Sequence, residues 1–484
     1  MRVRIQNFET LVSHGNVDGR KAVLGILEAG LEAADPYENT RKLLRLENEN
    51  LIVGNTDYEP VGTPRTGDEV YDLSKIGNIY VFGAGKGCQR VAKALEDVLG
   101  DALTGGHVID KKSHDVILKR IGVTLGAHPV PDEDCVRGCE RILEMTDGLT
   151  ENDLVFTIAA NGVSALLTMP VPGVSIEDVM DTTYIMQIER GAPTGDLNPI
   201  RNHLDMMKGG RISQHIYPAK MIHILAIPPG NFDKLMNRNL WLHTLPGFTN
   251  FQLAVNNLKK WDAWDAVPHS VRKHLEAADP KHETVKAKAF EKMDFRVFGV
   301  MPRHTGMIPA AMKKAEELGY TPVILAQGLR GEASQAGIVV ATIARTIEMT
   351  GQPLKPPCAL FTSGELLVTV GQEKGIGGRN QEFILSAAQR IGGSESIVMG
   401  AADSDGTDGP GTQFVEGGAG IPCLGGGVVD GETIEEAKNA GIDIREELKR
   451  HNATFPLWSL KSGIVISKSL SINDLSVTLI NKRH

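Results

Sequence analysis

An α/β architecture with mainly parallel sheets is expected from three observations. Short apolar runs enter glycine-bearing turns and are followed by amphipathic helices. Glycine supplies 53 of 484 residues while aromatics supply only 5%, which suits many tight strand-to-helix turns better than a sandwich or a helical bundle. Strand-like and helix-like segments also keep alternating into the C-terminal third, as parallel sheets covered on both faces require.

The elements follow in chain order. Residues 79–82 are an apolar run entering glycines, and residues 86–99 place Val91, Leu95, Val98 and Leu99 on one helical stripe before Gly100. The unit recurs at 154–158, and residues 176–190 read as a helix with Ser175 as N-cap and Gly191 as C-cap. Residues 231–292 carry Trp241, Trp261 and Trp264 with little strand pattern and read as a helical connector. A domain boundary is expected near 293, dividing the chain into 1–292 and 293–484. Beyond it come a helix over 312–318, strands over 323–326, 366–370 and 397–400, and helices over 332–349 and 433–439.

Composition limits the function classes. Fifty-one basic and 60 acidic side chains give a formal net charge of −9, without a Lys/Arg run that could grip a nucleic-acid backbone. No window reaches the roughly 18–20 apolar residues that a bilayer span needs. The first residues lack the apolar stretch of a secretory signal, so a cytoplasmic protein is expected. Five cysteines without CxxC or zinc spacing read as buried free thiols.

Five stretches can carry chemistry. Gly83-Ala84-Gly85-Lys86-Gly87 opens a helix after a strand, where free N–H groups and Lys86 favour an anion. It completes neither the dinucleotide nor the phosphate-loop pattern. His128 lies in a proline-stiffened loop, and Arg201, Lys208 and Arg211 could line an anion pocket. Glu365 precedes Gly377-Gly378-Arg379-Asn380, in which two glycines permit close backbone approach and Arg379 could hold a phosphate bidentately. Asp403, Asp405 and Asp408 crowd three carboxylates into six residues, as expected for Mg²⁺ coordination or general-base work.

Taken together, the AGK turn at 84–86, HPVPD at 128–132, the block 198–211, the segment 264–275, LxGEA-like 329–333, SGE at 363–365, GGRNQE at 377–382 and DGxDGP at 405–410 resemble the type-2 glycerate kinase (MOFRL) family in order and spacing. The resemblance implies two Rossmann-like α/β/α domains, a glycerate-kinase domain and a MOFRL-like domain, enclosing an interdomain cleft. It implies ATP- and Mg-dependent phosphorylation of a small hydroxy acid, D-glycerate to 2-phosphoglycerate or a related sugar acid, with Lys86 and Arg379 catalytic. His128, Arg201, Lys208, Asn161 and Ser164 are expected to bind substrate, Gly377, Gly378, Asn380 and Glu365 the nucleotide, and Asp403, Asp405 and Asp408 the metal.

The chain departs from the family where a glycine-rich loop reads Ala160-Asn161-Gly162-Val163-Ser164, where 226–231 lacks two acids, and in the loop 462–474, which keeps only Asn473-Asp474. Alternative readings are therefore an isomerase or lyase, or sugar-acid binding with a decayed ATP site, and a hydroxypyruvate reductase. No partner beyond the small-molecule substrate is expected, and homo-oligomer formation stays open.

Overall fold

The computed structural model describes residues 4–112, 114–373, 375–409, 420–467 and 474–482. The chain forms two compact units. One comprises residues 36–303; the other joins residues 4–35 to the chain from 304 onward.

Within the unit 36–303, β1 (Leu44–Glu47), β2 (Asn50–Val53) and β3 (Glu69–Asp72) form a small antiparallel sheet. The main sheet contains β4 (Ile79–Ala84), β5 (Gly105–Lys111), β6 (Gly122–Gly126), β7 (Leu154–Ala159), β8 (Lys220–Leu225) and β9 (Phe295–Gly299), all parallel in the order β6-β5-β4-β7-β8-β9. Every residue of β7 is buried, as expected for a strand covered on both faces. The order reverses between β4 and β7, so the loops after these two strands flank the topological switch point where open α/β sheets bind ligands.

Local sequence accounts for the covering helices. Asp132 caps Glu133–Thr146 by accepting from the Cys135 N–H, and Cys135, Cys139 and Ile142 then recur at helical spacing on its buried face. Ser175 forms the expected cap with Asp178 as a reciprocal partner, but the helix Ile176–Thr183 continues as a π-turn over Tyr184–Glu189.

In the other unit the sheet order is β10-β11-β15-β12-β13-β14, from β10 (Thr321–Leu329), β11 (Cys358–Gly364), β12 (Ile397–Asp403), β13 (Gly426–Asp430), β14 (Gly463–Ile464) and β15 (Asp474–Ile480). β10 and β11 are parallel, and β15 runs antiparallel to both β11 and β12. β10, β11 and β12 therefore share a direction, and β15 enters between the last two from the opposite end. The helix Arg379–Ile391 packs on this sheet through Phe383, Ile384, Ala387 and Ala388.

Three sequence expectations shift. β9 completes the first sheet, so the units part at 303/304 rather than 292/293. Residues 231–292 are largely helical but pack within the first unit, with Phe251, Ala254, Leu258, Val271 and Leu275 in a core cluster. The strand expected at 366–370 lies instead at Cys358–Gly364. All five cysteines are free thiols, and four are buried.

The N-terminal helix Val17–Ala33 belongs with the second sheet. Its Arg20 is fully buried, with Nε 2.5 Å from Asp430 of β13, and Val23 and Leu27 lie against Gly400 of β12. Among the described residues no helix is long and apolar enough to cross a membrane.

Candidate active site

The first cluster is built by the loops after β4 and β7. Gly85, at φ +128°, leaves no room for a Cβ because Ala160 backbone lies 2.6 Å from that position. The Lys86 N–H donates to the Asn161 carbonyl at 2.7 Å. Gly162 (φ +81°) closes the turn, and a Cβ there would fall 2.9 Å from the His128 ring and 3.2 Å from Lys86 Cγ. The two loops thus hold Lys86, Asn161 and His128 together.

The electrostatics of this cluster are one-sided. Burial, then Lys86, Lys111 and Arg201, push the His128 imidazole down to about 3, so it is neutral at physiological pH. Arg201 is 6% exposed, and among the described residues its guanidinium meets only the neutral oxygens of Gln187 (3.0 Å) and Pro129 (3.4 Å). Burial pulls its pKa down to about 10. Neither the Lys86 nor the Lys111 ammonium has an ion-pair partner among the described residues. Buried or half-buried cations normally find carboxylates. Here the missing negative charge is what a small anion would supply.

Other expected residues sit differently. Lys208 is buried with its ammonium 2.5 Å from Asp205 and 2.8 Å from the Thr168 hydroxyl, so its charge is spent within the protein. Arg211 donates to the carbonyls of Asn202, Lys208 and His282. The Ser164 hydroxyl is held 2.8 Å from His243 Nε2, an imidazole that burial and then Lys208, Arg201 and Arg211 keep neutral. The Gly87 N–H donates to buried Asp110 at 2.7 Å. A carboxylate of the protein therefore occupies part of the anion-binding helix start expected there.

The second cluster gathers at the ends of β11, β12 and β15. The antiparallel insertion of β15 sets its first residue, Asp474, opposite Gly364 and Asp403, the last residues of its two neighbours. Arg379, first residue of its helix, spans both acids: Nε and Nη2 grip Asp474 at 2.5 and 2.9 Å, and Nη2 also reaches Asp403 at 2.7 Å. Beyond this bidentate hold, Nη1 lies 3.8 Å from the largely exposed Glu365. Burial pulls against the charge on Arg379, but Asp474 and Asp403 outweigh it and raise its pKa. Burial, then Asp405 and Asp474, raise that of Asp403.

The expected metal triad is not formed. Among the described residues no group of three His, Cys, Asp or Glu side chains could hold a metal ion. Asp408 instead caps the helix Arg379–Ile391, accepting from the N–H groups of Asn380 (3.1 Å) and Gln381 (2.8 Å). Asp403 is engaged by Arg379, and Asp405 accepts from the Thr407 N–H and hydroxyl. The glycine pair also has an internal cause: a Cβ on Gly378 would lie 2.4 Å from Asp408, and one on Gly377 3.1 Å from the His451 carbonyl oxygen. Asn380 is buried on Asp408. Pro410 and Asn473 lie outside the described residues.

Sequence reasoning singled out neither Lys111, Asp110 nor His243, and it noted Asp474 only as a loop remnant. Each acquires its neighbours through strand pairing or a distant loop, which no local motif signals.

This pattern of clusters has relatives. Residues 22–276 match the domain of unknown function DUF4147, and residues 358–471 match the MOFRL family. The chain belongs to the glycerate kinase family that carries these two domains. A glycerate 2-kinase of Pyrococcus horikoshii is 31% identical over 96% of this chain and 98% of its own. A D-glycerate 2-kinase of Thermotoga maritima is 30% identical over 87% and 95%. The crystal structure of a T. maritima glycerate kinase superposes with a TM-score of 0.72 at 27% identity, covering 94% of this chain and 97% of that one. The chain is accordingly a phosphotransferase with the two-domain α/β fold of these enzymes.

Proposed function

We propose that the protein transfers the γ-phosphoryl group of ATP, with Mg²⁺, to a hydroxyl of a small hydroxy acid, D-glycerate or a close sugar-acid relative. The observation that carries this reading is the cluster of Lys86, Lys111 and Arg201 around neutral His128, whose side-chain cations have no ion-pair partner among the described residues, at a sheet's switch point. Arg201 and Lys111 attract the substrate carboxylate, and His128 and Asn161 offer uncharged hydrogen-bonding groups that orient its hydroxyls. Lys86 and Arg379 are the two cations assigned to catalysis, since phosphoryl transfer depends mostly on positioning and electrostatic stabilisation.

Magnesium bound through nucleotide phosphates needs only one or two protein carboxylates. Asp405 and Glu365, less engaged than Asp403 and Asp408, are the residues that would hold it; the ion would supply neutralisation of phosphate charge. Asp474 acts as a positioning residue for Arg379.

The dehydrogenase alternative fits the geometry less well. A pyrophosphate at the turn after β4 would compete with Asp110 for the Gly87 N–H.

The test is ATP-dependent phosphorylation of D-glycerate, with Lys86→Ala and Arg379→Ala compared with wild type. Each loss should lower kcat by about 10²–10³-fold with unchanged circular dichroism. Undiminished turnover in both variants would remove them from the mechanism, and turnover of hydroxypyruvate with NADH would replace the kinase reading.

A further inference from the structure

The helix Thr194–His203 buries two sectors of different character. Leu197, Ile200 and Leu204 enter a core cluster, as an apolar stripe at helical spacing should. Beside that stripe Asn198, Arg201 and Asn202 are buried as well, at 4%, 6% and 0% exposure. Residues three and four apart neighbour one another on a helix surface, so Arg201 and Asn202 flank Asn198 one turn further along.

Both flanking side chains reach a loop. Arg201 donates to the carbonyl of Pro129, next to His128, and Asn202 Nδ2 donates to the Leu240 carbonyl at 3.1 Å. The loop after Leu240 carries His243, which holds the Ser164 hydroxyl, and Asn239 fixes that loop by donating to the carbonyls of Leu242 and Pro246. Asn198 therefore faces the space between the His128 loop and the His243–Ser164 pair. Its own carboxamide is unmet: Oδ1 is buried without a hydrogen bond, and the side chain donates to no described residue. Turning the carboxamide over leaves the same donor and acceptor unmet. Asn202 differs, because its Nδ2 is anchored on Leu240 even though its Oδ1 is also unbonded.

A buried polar group without a partner costs about 1–3 kcal/mol, and folded proteins keep few of them. The group that meets Asn198 must offer both a donor and an acceptor beside the charge that answers Arg201. A hydroxyl on the carbon bearing a carboxylate does so. A keto oxygen at that carbon only accepts, and a methylene does neither.

We propose that Asn198 sets the substrate specificity: its carboxamide bonds the 2-hydroxyl of the acid whose carboxylate Arg201 holds, so the pocket selects a 2-hydroxy acid over its 2-keto and 2-deoxy counterparts. This assignment rests on the proposed anion site. A carboxamide is neither acid nor base at physiological pH, so Asn198 orients the hydroxyl and moves no proton.

The test is calorimetric titration of the full chain, with Mg²⁺ and a non-hydrolysable ATP analogue present, by D-glycerate and by 3-hydroxypropionate, which differs only in lacking the 2-hydroxyl. Wild type should bind D-glycerate about 10-fold more tightly, or better. Asn198→Leu, close in volume, should weaken D-glycerate to the level of 3-hydroxypropionate and leave the affinity for 3-hydroxypropionate unchanged, which reports an intact pocket. Equal affinity of wild type for the two acids overturns the inference, as does a variant that keeps the wild-type preference or loses both acids together. Wild type that binds neither acid removes the anion site itself.

Discussion

Arg201 is proposed to hold the substrate carboxylate. Among the described residues its buried guanidinium finds only neutral acceptors, so the proposed anion would relieve an unfavourable buried charge. Arg201→Met should therefore raise the KM for the hydroxy acid about 10- to 100-fold, the usual worth of a hydrogen bond to a charged group. In the same variant the melting temperature without substrate should hold or rise, which calorimetry checks. A fall in melting temperature with unchanged KM would mean that Arg201 serves packing. Asp474 makes the complementary case. Asp474→Asn keeps the volume but loses one arm of the bidentate hold on Arg379, so kcat should fall while KM for the hydroxy acid changes little; a KM effect alone would argue against a positioning role. Lys86, His128 and Arg201 stand out in the sequence as candidates because each sits in a distinctive local string. Lys111 and Asp474 were not, since a lone lysine at a strand end and a lone aspartate after a loop gain meaning only from the strands beside them.

At the level of elements, the helix Arg379–Ile391 shows how a cluster of acids divides its labour. Asp408 satisfies the helix's first N–H groups, and its loss in Asp408→Ala should cost about 1–2 kcal/mol in chemical denaturation. Burial and the neighbouring Asp474 push the Asp408 carboxyl up to about 6. An acid whose folded pKa is raised binds protons more tightly when folded, so its contribution to stability diminishes as pH rises from about 4 to about 6. Asp408→Asn should flatten that part of the stability profile relative to wild type.

Elements with a strong local signature were read well: the helix 433–439 has the predicted bounds, and Ser175 caps as expected. The apolar, β-branched run at 366–370 predicts a strand there. Residues 358–364 take the place because they pair with β10 and β15, and the antiparallel entry of β15 leaves no local mark either. The three crowded carboxylates resembled a metal site for a related reason. Sequence shows their proximity but not that a guanidinium and a helix start already engage two of them.

For the whole molecule, the informative feature is the discontinuous unit. Cutting at 292/293 would strip β9 from the first sheet and Val17–Ala33 from the second, exposing apolar faces on both products. A fragment spanning 36–303 should fold by itself with a cooperative thermal transition, whereas 1–292 should aggregate; comparable transitions in both would contradict the division seen here. Arg20 and Asp430 fasten the N-terminal segment, and Asp430→Ala would leave a buried guanidinium unpaired. The expected loss is about 3–5 kcal/mol, measured on the unit that contains both residues.

During synthesis this arrangement imposes an order. The helix Val17–Ala33 leaves the ribosome long before β12, β13 and β15 are translated, and an entire α/β unit is made in the interval. Until the last strand arrives, the side chains of Val23, Leu24 and Leu27 lack their eventual neighbours, so this apolar face is covered only late in synthesis.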